Sequence, residues 1–346
     1  MARPTLPRCS TGQGARYSVA LLIALLLSAC TSNPGQPWQS THGLGHPLTG
    51  KIWGVGAERF VTPEAMVTSL VRADLVLLGE KHDNADQHRL QAWLVGRLAA
   101  AGRRPAVAFE MLTAEQEAPL ARHLAASSGD SAGIGKAVAW EKSGWPPWQL
   151  YQPIAAAALA ADAPLLAAGL PRADIRAAAR KGLKSLGDER VRALGLTTAL
   201  PAMAAERLAQ DIVASHCGAL PASMTGPMAT VQRLKDASMA ATLGRGFAMP
   251  ERRSAVLIAG NGHVRRDYGV PWYLGRLAAG KRVAAVAMLE VDDEATDVTG
   301  YAGIYGGRLP FDFVWFTPAV DSEDSCEKYA DALRRAKARH GKEKSD

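Results

Sequence analysis

Three short stretches place titratable side chains directly after runs of strand-forming residues. In Leu75-Val76-Leu77-Leu78-Gly79-Glu80-Lys81-His82-Asp83-Asn84, a carboxylate and an imidazole follow an apolar run. In Ala108-Phe109-Glu110-Met111 a second run ends in an acid. In Ile258-Ala259-Gly260-Asn261-Gly262-His263 the Gly-x-x-His spacing of residues 79–82 recurs. If the runs are parallel strands, Glu80, His82, Glu110 and His263 meet at one sheet edge, where open α/β sheets build their sites. Two imidazoles and two carboxylates suit a first-row divalent metal. They equally suit general acid–base chemistry near neutral pH. Glu80 and Glu110 also have a structural reading, as caps of neighbouring helices or ion-pair partners of Arg265 or Arg266. Those arginines present forks for a ligand carboxylate or for an internal salt bridge. His88, at a helix start, reads as a structural partner of the first stretch.

Other chemistries find no motif. Gly260-Asn261-Gly262 lacks the third glycine of a dinucleotide fingerprint, since Arg265 stands there. The chain has no His-Glu-x-x-His and no metal-type cysteine pair.

The elements that must position these residues follow from periodicity. Continuous branched runs at 75–78, 105–109, 164–168, 254–259, 282–289 and 311–316 predict strands covered on both faces. A shorter strand or hairpin is expected around 52–61. Thr62-Pro63-Glu64 opens a helix with proline in its first turn. Leu90, Trp93, Leu94 and Leu98 form a helical stripe over 85–101. Thr113-Ala114-Glu115-Gln116 is a capping-box pattern. Residues 127–135 read as a linker, 144–148 as a rigid aromatic loop and 154–161 as a helix. Residues 172–243 read as helical, broken near Gly187, Pro201 and 218–227, too long for one crossover. The fold class is therefore α/β: a mostly parallel sheet flanked by helices, with a helical insertion between the third and fourth of these buried strands.

With 48% hydrophobic and 21% charged residues the 346-residue chain is globular. Its formal charge of +7 does not mark a nucleic-acid face. Arg3, Arg8 and Arg16 lie in a leader, and the tail 328–346 carries all of the remaining excess. That tail reads as a solvated helix end or as a contact for anionic headgroups. The leader has arginines, then an apolar stretch at 19–27 too short to span a bilayer. Residues 31–47, rich in Ser, Thr, Gly, Pro and Gln, read as a flexible tether. The expected organisation is a signal peptide over 1–29, a tether over 30–50, an α/β domain over 51–320, and a closing helix with a basic tail over 321–346. Cys217 and Cys326 either pair in an oxidising compartment or remain free thiols.

Several motifs carry resemblances. Leu27-Ser28-Ala29-Cys30 resembles the lipobox of bacterial lipoproteins, which implies lipidation of Cys30. Thr31 is not the aspartate of inner-membrane retention, which points to the outer membrane. Together with the lipobox, residues 77–84, Phe109-Glu110-Met111, residues 258–265, His216-Cys217-Gly218, Gln232, Asp236 and Met239-Ala240 resemble the ChaN-like lipoproteins of the Tiki/TraB-like superfamily. The resemblance implies an iron-regulated, haem-binding lipoprotein of haem or iron uptake, facing the periplasm. It implies haem at a homodimer interface, ligated through a tyrosine oxygen, a known axial ligand type. Tyr151 is the first candidate, Tyr268 and Tyr273 the next, with Arg265 near the cofactor. Tiki-like relatives use the paired Gly-x-x-His motifs and glutamates for metal-dependent hydrolysis, the alternative function. At Gly169 the chain departs from the family pattern, where asparagine is expected.

Overall fold

The computed structural model describes residues 35–323 and, beyond them, Cys326, Glu327, Ala330 and Arg334. The expected signal peptide, the expected lipidation site Cys30, the start of the expected tether and most of the expected closing helix lie outside the described residues. None of the described helices is long and apolar enough to cross a membrane.

A hairpin of β1 (Ile52–Gly54) and β2 (Arg59–Val61) leads into helix α1 (Pro63–Val71), whose N-cap Thr62 accepts the Ala65 amide. Strand β3 (Leu75–Glu80) precedes α2 (Ala85–Ala100), capped by Asn84 through the Gln87 amide. Strand β4 (Pro105–Thr113) runs into α3 (Ala114–Ala126) through the capping box of Thr113 and Gln116. The short α4 (Ile134–Ala137), then α5 (Trp148–Ala160) and β5 (Leu165–Gly169), complete the first half. Four helices follow: α6 (Arg172–Lys181), α7 (Asp188–Ala193), α8 (Ala202–Ser215) and α9 (Ala222–Ala248). The chain continues as β6 (Ser254–Gly260), α10 (Val270–Leu277), β7 (Val283–Glu290), α11 (Val298–Ile304) and β8 (Phe313–Thr317).

The strands form one eight-stranded sheet in the order β2-β1-β8-β7-β3-β6-β4-β5. The six strands from β8 to β5 are parallel, and the β1–β2 hairpin adds antiparallel pairs at one edge. Every residue of β3 and β6 is buried. Alternation divides their side chains. Val76, Leu78, Val256 and Ile258 pack with α1, α2 and α5 on one face. Leu75, Leu77, Leu257 and Ala259 pack with α9 and α10 on the other. A strand with cover on both faces needs a continuous apolar run, the pattern seen in the sequence.

Three differences from the expected elements have physical causes. Helix α5 starts at Trp148, six residues before the expected start, and contains Pro153. Trp148, Tyr151 and Ile154 all enter the core, so packing outweighs the proline. Helix α9 begins before Pro227 and extends to Ala248. It is the crossover helix from β5 to β6, so only α6 to α8 are truly inserted. The second half of the expected tether is packed: the Gln39 and Ser40 amides donate to the buried Asp86 carboxylate, and Leu48 is buried. Cys217 and Cys326 form a disulfide.

Candidate functional site

Strands β3, β4 and β6 are neighbours, and their carboxyl ends bring Glu80, His82, Glu110 and His263 together. The middle of this edge depends on glycine. Asn261 reaches across β3 and both donates to the Met288 carbonyl (2.7 Å) and accepts the Met288 amide (3.1 Å). It thus serves the edge of β7 beyond Val286, where the β3–β7 register ends. A Cβ on Gly79 would stand 2.4 Å from Asn261 Oδ1, so only glycine lets the amide pass. The Gly-Asn-Gly turn is a sheet patch, consistent with the failed dinucleotide fingerprint.

The four residues form two hydrogen-bonded groups. In the first, Glu80 holds His82 Nδ1 at 2.9 Å through one oxygen and the buried His88 through the other. Burial opposes the charge on Glu80, but His88 and His82 hold its pKa below the usual carboxylate range. His82 Nε2 has no hydrogen-bond partner among the described residues, and this side chain is 33% exposed. Trp145 lies edge-on to the His82 ring at 4.6 Å, and the Tyr151 hydroxyl donates to the His82 carbonyl (3.2 Å).

In the second group, the His263 imidazole lies between two carboxylates. Nε2 is 3.0 Å from Glu110 and Nδ1 is 2.6 Å from Asp236. Burial disfavours its charge, yet Glu110 and Asp236 overcome this and push its pKa up to about 9. His263 is therefore an imidazolium at neutral pH that donates from both nitrogens. Glu110 also accepts from the Lys235 ammonium (3.0 Å) and the Gly260 amide (3.0 Å). Despite burial, His263 and Lys235 hold Glu110 well below its ordinary value. Burial pushes Asp236 up to about 6 in spite of the same two cations. The Gln232 amide nitrogen lies 3.0 Å from His263 Nδ1.

Apart from His82 Nε2, these donors are committed to one another. Among the described residues no group of three or more His, Cys, Asp or Glu side chains is arranged to hold a metal ion. The expected divalent-metal set of Glu80, His82, Glu110 and His263 is thus brought together as ion pairs. Clefts of about 340 and 530 Å3 open elsewhere on the molecule, and none of these residues lines them. Lys235 was missed in the sequence because it sits on α9, far from any strand-end motif.

A family model described as haem-binding uptake, Tiki superfamily, ChaN, matches residues 66–274, more than half of the chain. The chain belongs to this ChaN family. Its fold is similar to that in the solved structure of cofacial heme binding to ChaN of Campylobacter jejuni. That likeness has 18% identity, covers 76% of this chain and 95% of the other, and has a TM-score of 0.56. The type III effector HopBA1 is also similar, with 11% identity, 81% and 97% coverage and a TM-score of 0.41. No curated protein matches the chain.

The ChaN resemblance pointed to three tyrosines and Arg265 as the residues near haem. Tyr151, Tyr268 and Tyr273 are buried. Tyr268 donates to Asp211 (2.7 Å), and Tyr273 accepts from Arg233 (3.2 Å). Burial pushes all three phenols up, Tyr273 to about 12. Arg265 is buried in salt bridges with Asp211 and Asp267, the internal reading of its fork. Arg266 pairs with Asp312. At Gly169 a Cβ would stand 2.2 Å from the Glu110 carbonyl oxygen. The β4–β5 register shifts there. The departure from asparagine thus coincides with a close backbone approach that leaves no room for a side chain.

Proposed function

We propose that this ChaN-family chain binds haem and takes part in haem or iron uptake or sequestration at a bacterial envelope. The observation that carries this reading is the family match over residues 66–274. In the same reading Cys30 is lipidated, the domain faces the periplasm from the outer membrane, and haem is held by a homodimer. The Cys217–Cys326 disulfide supports an oxidising compartment. Titration of the chain from Thr31 with haemin tests the proposal: saturable binding with a shifted Soret band is expected, and its absence overturns the reading. Sedimentation with and without haemin tests the dimer.

The uncommitted Nε2 of His82 favours a second reading, hydrolysis by general acid–base chemistry. Glu80 fixes Nδ1, so Nε2 is the nitrogen that takes a proton from water. Lys235 and the His263 imidazolium supply positive charge within the same cluster. The divalent-metal form of this reading has no three-ligand group among the described residues. A panel of ester and amide substrates tests it: turnover abolished by His82→Gln and insensitive to chelator is expected, and turnover unchanged in that variant refutes the role of His82.

A further inference from the structure

We propose that the cleft between α9, α10 and the amino end of β3 binds a single-chain fatty acid, with its carboxylate at Arg245 and Lys281. The inference goes beyond the haem reading and does not depend on it. The cleft has a volume of about 530 Å3 and a mostly apolar lining. Small-molecule sites fall in the same range, roughly 300–1,000 Å3. Buried Leu75, the first residue of β3, lines it, so the cleft opens at the opposite end of the sheet from Glu80 and His263.

The space comes from small side chains on a long helix. Ala240, Gly244 and Ala248 recur every four residues and so share one stripe of α9, and all three line the cleft. At Gly244 no heavy atom lies within 4 Å of where a Cβ would stand. Glycine inside a helix is a destabilising choice relative to alanine. Here the space it frees belongs to the cleft. Leu277 of α10 and Phe247 of α9 add larger apolar surfaces, and both are only half-buried.

The charge at this cleft is one-sided. Arg245 and Lys281 line it and are exposed. Arg245 donates to the Thr242 hydroxyl (3.0 Å), and the Lys281 ammonium lies 4.4 Å from the centre of the Phe247 ring. Neither cation pairs with a carboxylate among the described residues, and no described acidic side chain lines the cleft. An apolar slot with two cations is complementary to a hydrocarbon chain that ends in one anion. Burial of the chain drives binding, and the guanidinium fork and the ammonium pair with the carboxylate. The described lining holds no imidazole, phenol, thiol or thioether, the ordinary protein ligands of haem iron.

Calorimetric titration of the purified protein with dodecanoate, kept below its micelle concentration, tests the site. Saturable binding of one dodecanoate per chain is expected, with decanoate about 10-fold weaker for its two missing methylenes. Dodecanol, which lacks the anion, and acetate, which lacks the chain, are expected to bind more weakly than dodecanoate. Gly244→Leu places a side chain in the cleft. It is expected to abolish dodecanoate binding, to raise the melting temperature because leucine favours the helix, and to leave haemin binding unchanged. Arg245→Gln combined with Lys281→Gln is expected to weaken dodecanoate about 5-fold, the scale of exposed ion pairs, and to leave dodecanol unchanged. A wild type without saturable dodecanoate binding overturns the proposal, as does a folded Gly244→Leu variant that binds dodecanoate like the wild type. Loss of haemin binding in Gly244→Leu assigns the cleft to haem and overturns the fatty-acid assignment. Unchanged affinity in the double variant, or tighter binding of dodecyl phosphate than of dodecanoate, overturns the carboxylate pairing.

Discussion

His263 shows how burial and partners decide one residue's chemistry. Its imidazolium neutralises two buried carboxylates, and removing it leaves both without their central donor. His263→Leu should therefore destabilise the domain by about 3–5 kcal/mol, measured by urea unfolding. The pH dependence has a definite sign. The folded-state pKa, about 9, lies above the ordinary value of 6.5. The stability from this proton is fully present below pH 6.5 and is lost as pH rises through about 9. The expected outcome is a melting temperature that falls between pH 6.5 and 9 in the wild type, with a smaller fall in His263→Gln. Asp236, raised to about 6, adds its own loss at lower pH, between its ordinary value of 3.8 and about 6. Glu80 and Glu110 act in the opposite sense, contributing stability above the ordinary carboxylate range that is lost on acidification.

At the level of elements, the site depends on how β3, β6 and β7 meet. Asn261 carries a strand's hydrogen bonds on a side chain, so Asn261→Ala leaves the Met288 amide and carbonyl without these partners. A loss of about 1–3 kcal/mol is expected, read by thermal melts. Gly79→Ala should cost a similar amount, about 1–3 kcal/mol, by driving its Cβ into the same amide. Either change moves the loop that carries His263 and should disturb its ring resonances by NMR. The strap at 39–48 acts on the neighbouring element. It is joined to α2 through Asp86, in the same first turn as His88, the residue that holds Glu80.

Across the whole molecule, the parallel strands converge their ends while the helical region closes one side. The disulfide joins the loop between α8 and α9 to a residue 109 positions later in sequence. Reducing it should lower stability by about 2–5 kcal/mol, measured as a reductant-dependent shift in urea midpoint that Cys217→Ser abolishes. Most strands were legible in the sequence because each is buried on both faces and therefore continuously apolar. The proline-containing start of α5 was not, because its stability comes from Trp148 and Tyr151 meeting the core. The packed strap was hidden for the same reason: its composition is that of a linker, and the Asp86 carboxylate that orders it is distant in the chain.

By itself the sequence determined the α/β class, the strand ends and the titratable residues placed on them, since strand patterning and motif spacing are local. The tertiary structure decided which of those residues touch. It joined His263 to Asp236 and Lys235 to Glu110 from a helix far in sequence from the strand-end motifs, and it buried the three tyrosines that motif likeness had favoured. It also left one ring nitrogen, His82 Nε2, without a partner among the described residues. The physical reason is that burial and hydrogen-bond pairing are properties of neighbours in space, and the chain order does not encode them directly.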